Sequence, residues 1–307
     1  MEAAIQRALE RAGHTTMLFD DRRTKHRVGR RLTQRLALRA AQRFRPDFVV
    51  LSKCAALDLD TVATIVRDRP NAMWYHDPQW HRDLDRPDVA HIAAVGRLAD
   101  VFFVSGFVEE WRAHGLNARF LPPAGDRDIV PVAPRRSLAS EIAFIGTCYD
   151  AERAGFLVSV NAHVPVRVFG PGWDSWRREL QWHGRPVEGA EFAAVCSSAK
   201  VTLGVNPARA TGATTYASDR VWMVILGGAC YLGAGTPGID RFLIDGVHCA
   251  WYRDLDDCVE RARELLADHP ARERIRREGE RFVRAHHTYD QRVVNLLRGD
   301  AWVNPLE

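Results

Sequence analysis

Strand-like and helical segments alternate along almost the whole chain, and this alternation limits the possible folds more than any other feature of the sequence. The pattern predicts strands at 47–52, 72–75, 101–105, 118–121, 142–146, 166–169, 201–205, 229–232 and 249–252. Longer segments with helical periodicity occupy most of the intervals between them. This order predicts βαβ units and therefore parallel sheets. A length of 307 residues suits two such domains better than one.

A proline-rich segment interrupts the alternation near the middle of the chain. Residues 122–134 contain four prolines together with Gly125. Proline and glycine at this density break regular structure, so the segment is a candidate linker. We predict an N-terminal domain at 1–122, a linker at 123–136 and a C-terminal domain at 137–285.

The first domain opens in an unusual order. A helical pattern at 2–13 precedes the first strand-like run, Thr15–Phe19. Doubly wound domains normally open with a strand. Either the first strand is missing from this chain or the gene start has been set too late, and the sequence leaves both explanations open.

Cysteine usage and hydropathy favour a reduced, cytoplasmic protein. The six cysteines show no Cys-x-x-Cys pair, and most lie in apolar contexts. No apolar run approaches about 18 residues, so the sequence predicts no membrane span. The chain begins with a helical pattern rather than an apolar signal core, and we therefore expect a soluble intracellular protein.

Basic residues are concentrated near the N-terminus. The net charge of +4 is mild, yet residues 22–45 contain many Lys and Arg side chains and no Asp or Glu. A nucleic-acid interface would interleave such cations with aromatic side chains. The periodic Leu32, Leu36 and Leu38 favour one amphipathic helix with a solvated outer face, so we expect no nucleic-acid partner.

A first candidate phosphate site follows the predicted strand at 142–146. Gly146 and Thr147 end that strand, and Arg153 lies within the next helix. A glycine lets a ligand approach the backbone, a helix N-terminus attracts anions, and an arginine can bind the same phosphate with two donors. The same pattern also fits an ordinary turn.

A second candidate phosphate site precedes the helix at 218–226. Residues 211–220 are rich in hydroxyl groups, and Ser218 or Asp219 would cap the helix. Hydroxyl groups and backbone amides at a helix start can hold a phosphate. An ordinary capped core helix explains the pattern equally well.

The first domain contains one polar phrase with catalytic potential. His76 and Asp77 directly follow the strand at 72–75, and ligand sites lie at the carboxyl ends of parallel strands. A carboxylate beside an imidazole suits the deprotonation of a hydroxyl group. A turn with a packed ring is the competing explanation. A metal site is the less favoured alternative, because the phrase lacks the fixed helical spacing of metal ligands; that set comprises His76, Asp77, His81, Asp83 and Asp85.

Five short phrases of the C-terminal half occur in the order of a known family. They are Leu121–Asp126; Ile145–Thr147 with Arg153; Arg220–Met223 with Gly227–Ala229; Gly238–Phe242 with Asp245–Gly246 and Trp251–Asp254; and His287–Tyr289 with Arg292. In this order they resemble group 1 glycosyltransferases, specifically the spore-maturation (CgeB-like) branch. The resemblance covers roughly residues 118–298.

The resemblance implies an α/β protein of the GT-B type, with two facing Rossmann-like domains and a C-terminal helix, 286–307, that packs back on the first. The N-terminal domain would take the acceptor and the C-terminal domain the nucleotide sugar. The implied activity moves a sugar from a nucleoside diphosphate sugar to a hydroxyl-bearing acceptor, with neither a metal nor a cofactor. The residues implied to bind the diphosphate are Gly146, Thr147, Arg153, Ser218 and Arg220.

Two positions depart from the family pattern. Where the wider superfamily has two glutamates that hold the donor, this chain has Thr215 and Met223. Neither side chain can accept two hydroxyl donors as a carboxylate does. The ribose and sugar are then left to Thr215, Asp219, Asp240 or backbone groups. The departure keeps two alternatives open, namely a nucleotide-sugar epimerase or hydrolase of the same fold and a non-catalytic nucleotide-sugar-binding protein.

Overall fold

A computed structural model describes residues 1–77, 86–206 and 215–306 of the chain. The chain forms two compact units. Unit 1 comprises Met1–Pro123 and Asp290–Val303, and unit 2 comprises Ala124–Tyr289 and Asn304–Glu307. The proline-rich segment that we expected to act as a linker is therefore grouped with unit 2 from Ala124 onward.

Unit 1 is built on a four-stranded parallel sheet with the order β1-β2-β3-β4. The central strand β2 is buried along its whole length, and helices cover the sheet. The strands are β1 (Val49–Leu51), β2 (Asn71–Tyr75), β3 (Val101–Val104) and β4 (Ala118–Phe120). The helices are α1 (Glu2–Arg11), α2 (Asp21–Val28), α3 (Arg30–Phe44), α4 (Leu59–Val66), α5 (Pro87–Gly96), α6 (Val108–Ala113) and α12 (Tyr289–Arg298).

The C-terminal segment is fixed to unit 1 by polar contacts. Arg11 of α1 forms two hydrogen bonds, of 2.7 and 2.8 Å, with the carboxylate of Asp290. Arg292 Nε donates to the Pro122 carbonyl at 3.1 Å. The Trp302 N–H donates to the Phe120 carbonyl at 2.8 Å, which places the last residues of unit 1 beside β4.

The N-terminal region of unit 1 differs from the sequence prediction in two places. Thr15–Phe19 is not a strand, and Met17 and Leu18 are exposed, because the run pairs with no strand among the described residues. The basic segment forms two helices rather than one. Gly29 separates α2 from α3 and has a φ of 80°, which a continuous helix does not allow.

Unit 2 contains a six-stranded parallel sheet with the order β10-β9-β8-β5-β6-β7. All of its strands except the two-residue β7 were predicted from the sequence. The strands are β5 (Ser140–Ile145), β6 (Val166–Phe169), β7 (Gln181–Trp182), β8 (Ala199–Gly204), β9 (Tyr231–Ala234) and β10 (Ala250–Tyr252). The helices are α7 (Ala151–Asn161), α8 (Gly189–Ser198), α9 (Asp219–Leu226), α10 (Leu255–Ala267) and α11 (His269–His286).

The strand order of unit 2 reverses between β5 and β8. From β5 the chain proceeds to β6 and β7 on one side, and then returns to form β8 on the other side. The connections that leave β5 and β8 therefore diverge at their carboxyl ends. In open parallel sheets, ligands bind at such a switch point.

The oxidation state of the cysteines and the polarity of the helices can be compared with the sequence predictions. All six cysteines are free thiols, and burial raises the pKa of Cys54 to about 12. Within the described residues no helix combines the length and the apolar character that crossing a membrane requires. The 18-residue α11 is rich in Arg and Glu.

Candidate functional site

The turn after β5 is held rigidly by backbone contacts. The Gly146 N–H donates to the Phe169 carbonyl at 2.8 Å, and Trp173 Nε1 donates to the Gly146 carbonyl at 2.9 Å. A Cβ atom at Gly146 would lie 2.6 Å from Arg220 Nη2. The glycine predicted from the sequence is therefore needed because it lets the guanidinium of α9 approach the end of β5.

Two guanidinium groups converge at the switch point. Arg153 donates to the Thr147 carbonyl at 3.0 Å and to the Val205 carbonyl at 3.2 Å. Arg220 donates to the same Val205 carbonyl at 3.4 Å. Their guanidinium carbons lie 5.8 and 5.0 Å from the centre of the Phe144 ring. We call Gly146, Thr147, Arg153, Val205 and Arg220 the switch-point cluster.

The two arginines differ in environment. Arg153 is only 2 % exposed, and its hydrogen bonds join the loops that follow β5 and β8. Arg220 is half-buried and forms no ion pair with any residue in the described part of the chain. A guanidinium is charged at all physiological pH values. Arg220 therefore places an unneutralised cation at the switch point.

The start of α7 is less open to an anion than the sequence suggested. Asp150 is the N-cap, and its Oδ1 accepts the Arg153 N–H at 2.7 Å. One of the N–H groups that we expected to meet a phosphate is therefore already bonded to a carboxylate. The positive charge at this site comes mainly from side chains rather than from the helix terminus.

The start of α9 retains free polar groups. Ser218 occupies the N-cap position, as predicted, but its hydroxyl makes no capping hydrogen bond. The carboxylate of Asp219, the first residue of the helix, has no hydrogen-bond partner among the described residues. The hydroxyl-rich residues 211–214, on which part of the second phosphate prediction rests, lie outside the described residues.

Two loops meet beside α9, where the ribose and sugar were expected. The first contains Thr215, and the second, residues 235–238, follows β9. Thr215 has a φ of 55°, and its N–H donates to the Pro237 carbonyl at 2.7 Å. A Cβ atom at Gly238 would lie 2.6 Å from Thr215 Oγ1. Asp240 is exposed, in a one-turn 3-10 helix that follows the second loop, and Met223 is half-buried on α9. Thr215 is thus held by the second loop, whereas Asp240 and Met223 lie on separate elements.

The end of β9 and the second loop together contain a glycine spacing that the sequence analysis did not use. Gly233, Gly235 and Gly238 match the pattern Gly-x-Gly-x-x-Gly at the end of β9. In dinucleotide-binding domains this pattern opens a long helix. Here only the three-residue helix Ile239–Arg241 follows, so the structural context of that fingerprint is absent from this described segment.

Unit 1 carries its own polar cluster at the carboxyl edge of its sheet. Lys53 Nζ, after β1, lies 2.5 Å from Asp77 Oδ2, after β2. The two side chains are about one-third exposed. Ser105, after β3, donates its hydroxyl to the His76 carbonyl at 2.8 Å. We call Lys53, His76, Asp77 and Ser105 the edge cluster.

His76 is a neutral, packed ring in this arrangement. Burial, with a contribution from the Lys53 ammonium, lowers the pKa of His76 to about 3. Its ring lies 4.4 Å from the Trp74 ring, centre to centre. Its Nε2 atom is buried and has no hydrogen-bond partner among the described residues. A ring with so low a pKa is a weak base, which favours the packed-ring explanation for His76 over general-base catalysis.

Three residues of these clusters, Lys53, Ser105 and Val205, were missed at the sequence level. Val205 contributes only its carbonyl, which side-chain identity cannot reveal. Lys53 could have been found, because it is one of only three lysines in a chain with 43 basic residues and it directly follows a predicted strand. Tyr149 also escaped notice; it is 59 % exposed, and the Arg153 guanidinium lies 5.2 Å from its ring centre.

The described residues form no evident metal cluster. In the described parts of the chain, no group of three or more His, Cys, Asp or Glu residues is arranged to hold an ion. Asp-x-Asp sequences begin at Asp58, Asp83, Asp126 and Asp254. Asp58 pairs with Arg30 at 2.5 Å, Asp126 accepts the Asp128 N–H at 3.1 Å, and Asp254 caps α10. His81, Asp83 and Asp85 of the histidine-rich phrase lie outside the described residues.

A protein family and several solved structures are similar to this chain. Residues 153–298 match the family model described as glycosyl transferase-like, and this region contains both arginines of the switch-point cluster. No match was found among curated proteins.

Several solved structures share the fold of the chain at low sequence identity. HepE from Anabaena, in complex with UDP, is 10 % identical with a TM-score of 0.64, over 87 % of this chain and 82 % of HepE. Sucrose-phosphate synthase from Thermosynechococcus elongatus is 14 % identical with a TM-score of 0.61, over 87 % and 78 %. Trehalose 6-phosphate synthase from Burkholderia multivorans is 15 % identical with a TM-score of 0.60, over 92 % and 76 %. The chain thus has the GT-B glycosyltransferase fold, as the sequence predicted.

Proposed function

We propose that this chain transfers a glycosyl group from a nucleoside diphosphate sugar to a hydroxyl-bearing acceptor. The observation that carries the proposal is the convergence of Arg153 and Arg220 on the Val205 carbonyl, beside the Gly146 turn and at the switch point of the sheet. The glycosyl transferase-like match and the UDP bound to the neighbour HepE support a nucleotide-sugar donor. The spore-maturation (CgeB-like) branch is the subtype that the sequence phrases favour.

In the proposed reaction, unit 2 binds the donor diphosphate. Arg220 meets the diphosphate directly, Arg153 holds the loops and adds charge, and Ser218 donates its free hydroxyl. As the bond between sugar and phosphate breaks, negative charge grows on the leaving diphosphate. Guanidinium groups that are already in place stabilise this charge without reorganisation.

We propose that the acceptor is activated at the edge cluster of unit 1. Asp77 accepts the proton of the acceptor hydroxyl, and Lys53 holds the carboxylate in position. The neutral His76 ring packs behind it and contributes shape rather than base strength. This assignment differs from the sequence interpretation only in the roles given to His76 and Lys53.

Ribose recognition is proposed to rely on Asp219 and on the loop that holds Thr215, with Asp240 as a weaker candidate. Asp219 has a carboxylate without a described partner at the start of α9, on the same helix as Arg220. A carboxylate can accept both ribose hydroxyl groups. A cytoplasmic location, which the free cysteines favour, and metal independence belong to the same proposal.

One experiment separates glycosyl transfer from its alternatives. The protein is incubated with a panel of nucleotide sugars and hydroxyl acceptors, and the products are identified by mass spectrometry. Nucleoside diphosphate release with a new glycoside supports transfer, whereas release with only free sugar indicates a hydrolase. An isomerised sugar indicates an epimerase.

A non-catalytic role is the second candidate, because Thr215 and Met223 replace the two donor-binding glutamates of the superfamily. Tight nucleotide binding without turnover on any member of the panel would support it. Absence of both binding and turnover would contradict the entire proposal.

A further inference from the structure

The charge of this chain is distributed very unevenly. Residues 22–45 contain ten of the 43 Lys and Arg side chains and no Asp or Glu. The other residues therefore carry 33 basic and 39 acidic side chains, an acidic excess. Nine of these ten cations lie in α2 and α3, which we call the basic helix pair.

The structure leaves most of this positive charge unneutralised. Among the described residues, Arg30 is the one cation of the basic helix pair that forms an ion pair, with Asp58. Asp20 and Asp21, which directly precede these cations in the sequence, accept backbone N–H groups instead of pairing with them: Asp20 caps α2, and Asp21 accepts the Ala56 N–H at 2.7 Å. The remaining cations are exposed; they are Arg22, Arg23, Lys25, Arg27, Arg31, Arg35, Arg39 and Arg43.

Exposed aliphatic side chains accompany these cations. Twelve large hydrophobic residues are exposed in the described parts of the chain, and four of them fall between positions 17 and 32. They are Met17, Leu18, Val28 and Leu32, each 40–49 % exposed. No other stretch of similar length in the described chain contains as many.

The outer face of α3 combines the two kinds of side chain. Thr33, Ala37 and Ala41 are buried at a spacing of four residues and define the inner face. Leu32, Arg35 and Arg39 are exposed, at a spacing of three and then four residues. Residues at these spacings lie on the same face of a helix. The outer face therefore presents an aliphatic group beside two guanidinium groups.

We propose that the basic helix pair is a surface that binds an anionic lipid bilayer. A helix with cationic and aliphatic side chains on its exposed side lies in the bilayer interface, where headgroup charges attract the cations and acyl chains take the aliphatic groups. Nucleic acid would also attract the cations, but it gives exposed aliphatic side chains no partner. The basic helix pair contains no exposed Phe, Tyr or Trp on which bases could stack, because its one such residue, Phe44, is half-buried at the end of α3.

This inference is independent of the proposed function, because it concerns binding by residues outside both clusters. Binding is measured by co-sedimentation with vesicles of phosphatidylcholine mixed with phosphatidylglycerol, and with vesicles of phosphatidylcholine alone. The protein is expected to bind the mixed vesicles and not the neutral ones, with binding that weakens in high salt. Each cation near an anionic surface contributes about a five-fold gain in binding.

Variants distinguish the basic helix pair from general charge. The triple variant Arg31→Glu, Arg35→Glu, Arg39→Glu is expected to lose vesicle affinity by on the order of 100-fold. The matched control Arg178→Glu, Arg263→Glu, Arg274→Glu changes exposed arginines of unit 2 by the same total charge and should retain binding. Leu32→Ser leaves the charge unchanged and should weaken binding to the mixed vesicles by several-fold. Circular dichroism confirms that each variant is folded.

Three results would overturn the proposal. The first is a failure of the wild-type chain to bind the mixed vesicles. The second is equal loss of binding in the control and in the triple variant of α3, which would show an effect of net charge alone. The third is tighter binding to duplex DNA than to the vesicles, unaffected by Leu32→Ser, which would identify the surface as a nucleic-acid interface.

Discussion

At the scale of single residues, the two arginines of the switch-point cluster are expected to respond differently to truncation. Arg220 makes one long hydrogen bond and forms no described ion pair, so Arg220→Ala should leave the Tm nearly unchanged. Nucleoside diphosphate affinity should fall about ten-fold or more, because a hydrogen bond to a charged group contributes roughly 1.5–3 kcal/mol. Arg153→Ala should lower affinity and also the Tm, since Arg153 is buried and holds two loop carbonyls.

Titration calorimetry with UDP, combined with thermal melts, measures both quantities. Arg177→Ala is the matched control, because Arg177 is an exposed arginine that lies over the Trp182 ring at the far edge of the sheet. Unchanged UDP affinity in both the Arg153 and the Arg220 variants would contradict the assignment of the diphosphate site.

Gly146→Ala tests whether the glycine serves the approach of Arg220. The new methyl group would lie 2.6 Å from Arg220 Nη2, so the guanidinium must move away from the end of β5. UDP affinity should then fall nearly as far as in Arg220→Ala. In a double-mutant cycle, Gly146→Ala should reduce UDP affinity only slightly in the Arg220→Ala background. An equal loss of UDP affinity in both backgrounds would show that the glycine acts on the ligand or the fold and not through Arg220.

Asp77→Asn tests the edge cluster. The substitution retains the shape but removes the charge, so the proposed base is lost and the ion pair with Lys53 is broken. The transfer rate should fall by about 10²–10⁴. UDP affinity should stay within about two-fold of wild type, because every proposed phosphate contact lies in unit 2.

Asp47→Asn, which changes an exposed aspartate of unit 1, serves as the control for Asp77→Asn. A fully active Asp77→Asn enzyme would identify Asp77 as a turn residue. Loss of UDP affinity instead would place Asp77 on the donor side.

At the scale of secondary structure elements, hydrophobic periodicity predicted nine of the ten strands that the described residues form, and the exception shows the limit of the method. The strand β7 has only two residues, Gln181 and Trp182, too few to form a pattern. The opposite error occurred at Thr15–Phe19, where an apolar run found no partner strand among the described residues. Whether a segment forms a strand depends on which other segments lie beside it in the folded chain, and the local sequence does not contain that information.

The candidate site was predictable to the extent that side-chain identity determines it. Gly146, Arg153 and Arg220 were found because their types and positions relative to predicted strands suit a phosphate. The Val205 carbonyl was not, since any residue at that position supplies one. The capping of α7 by Asp150 and the pairing of Lys53 with Asp77 depend on side-chain directions, which only the structure supplies.

The end of β2 is expected to make unit 1 sensitive to acid. Burial lowers the pKa of His76 from an ordinary value of 6.5 to about 3, so the unfolded chain takes up a proton there before the folded chain does. The stabilising contribution of the neutral His76 is therefore fully present above pH 6.5 and is lost as the pH falls from 6.5 toward 3. Between pH 7 and pH 5 the loss due to this group is about 2 kcal/mol.

Urea unfolding of wild type and of His76→Gln across this pH range measures the contribution of His76. The free energy of unfolding of His76→Gln should depend less on pH, whereas His26→Gln, which changes an exposed histidine on α2, should behave as wild type. The same pH dependence in all three proteins would show that His76 is not buried in its neutral form.

At the scale of the whole molecule, the two units differ in what sequence comparison can detect. The match at 153–298 lies mainly in unit 2, where the phrases proposed to bind phosphate occur in a recognisable order. Unit 1 is recognised through its fold, since HepE, sucrose-phosphate synthase and trehalose 6-phosphate synthase each match 87 % or more of the chain at 10–15 % identity. This difference agrees with the proposed roles, because a site for a varied acceptor would tolerate substitution more readily than a site for a diphosphate.

Metal independence is the prediction that concerns the whole reaction. The leaving diphosphate requires positive charge, and here Arg153 and Arg220 are placed to supply it from two different helices. One aspartate in each of two Asp-x-Asp sequences is already engaged, since Asp58 pairs with Arg30 and Asp254 caps α10. UDP affinity and the turnover rate should therefore remain within about two-fold of their initial values in excess EDTA.

A control with a metal-dependent glycosyltransferase in the same buffer should lose its activity. Abolition of turnover by EDTA, with recovery on addition of Mn²⁺ or Mg²⁺, would contradict the prediction. It would direct attention to His81, Asp83 and Asp85, which follow β2 in the sequence.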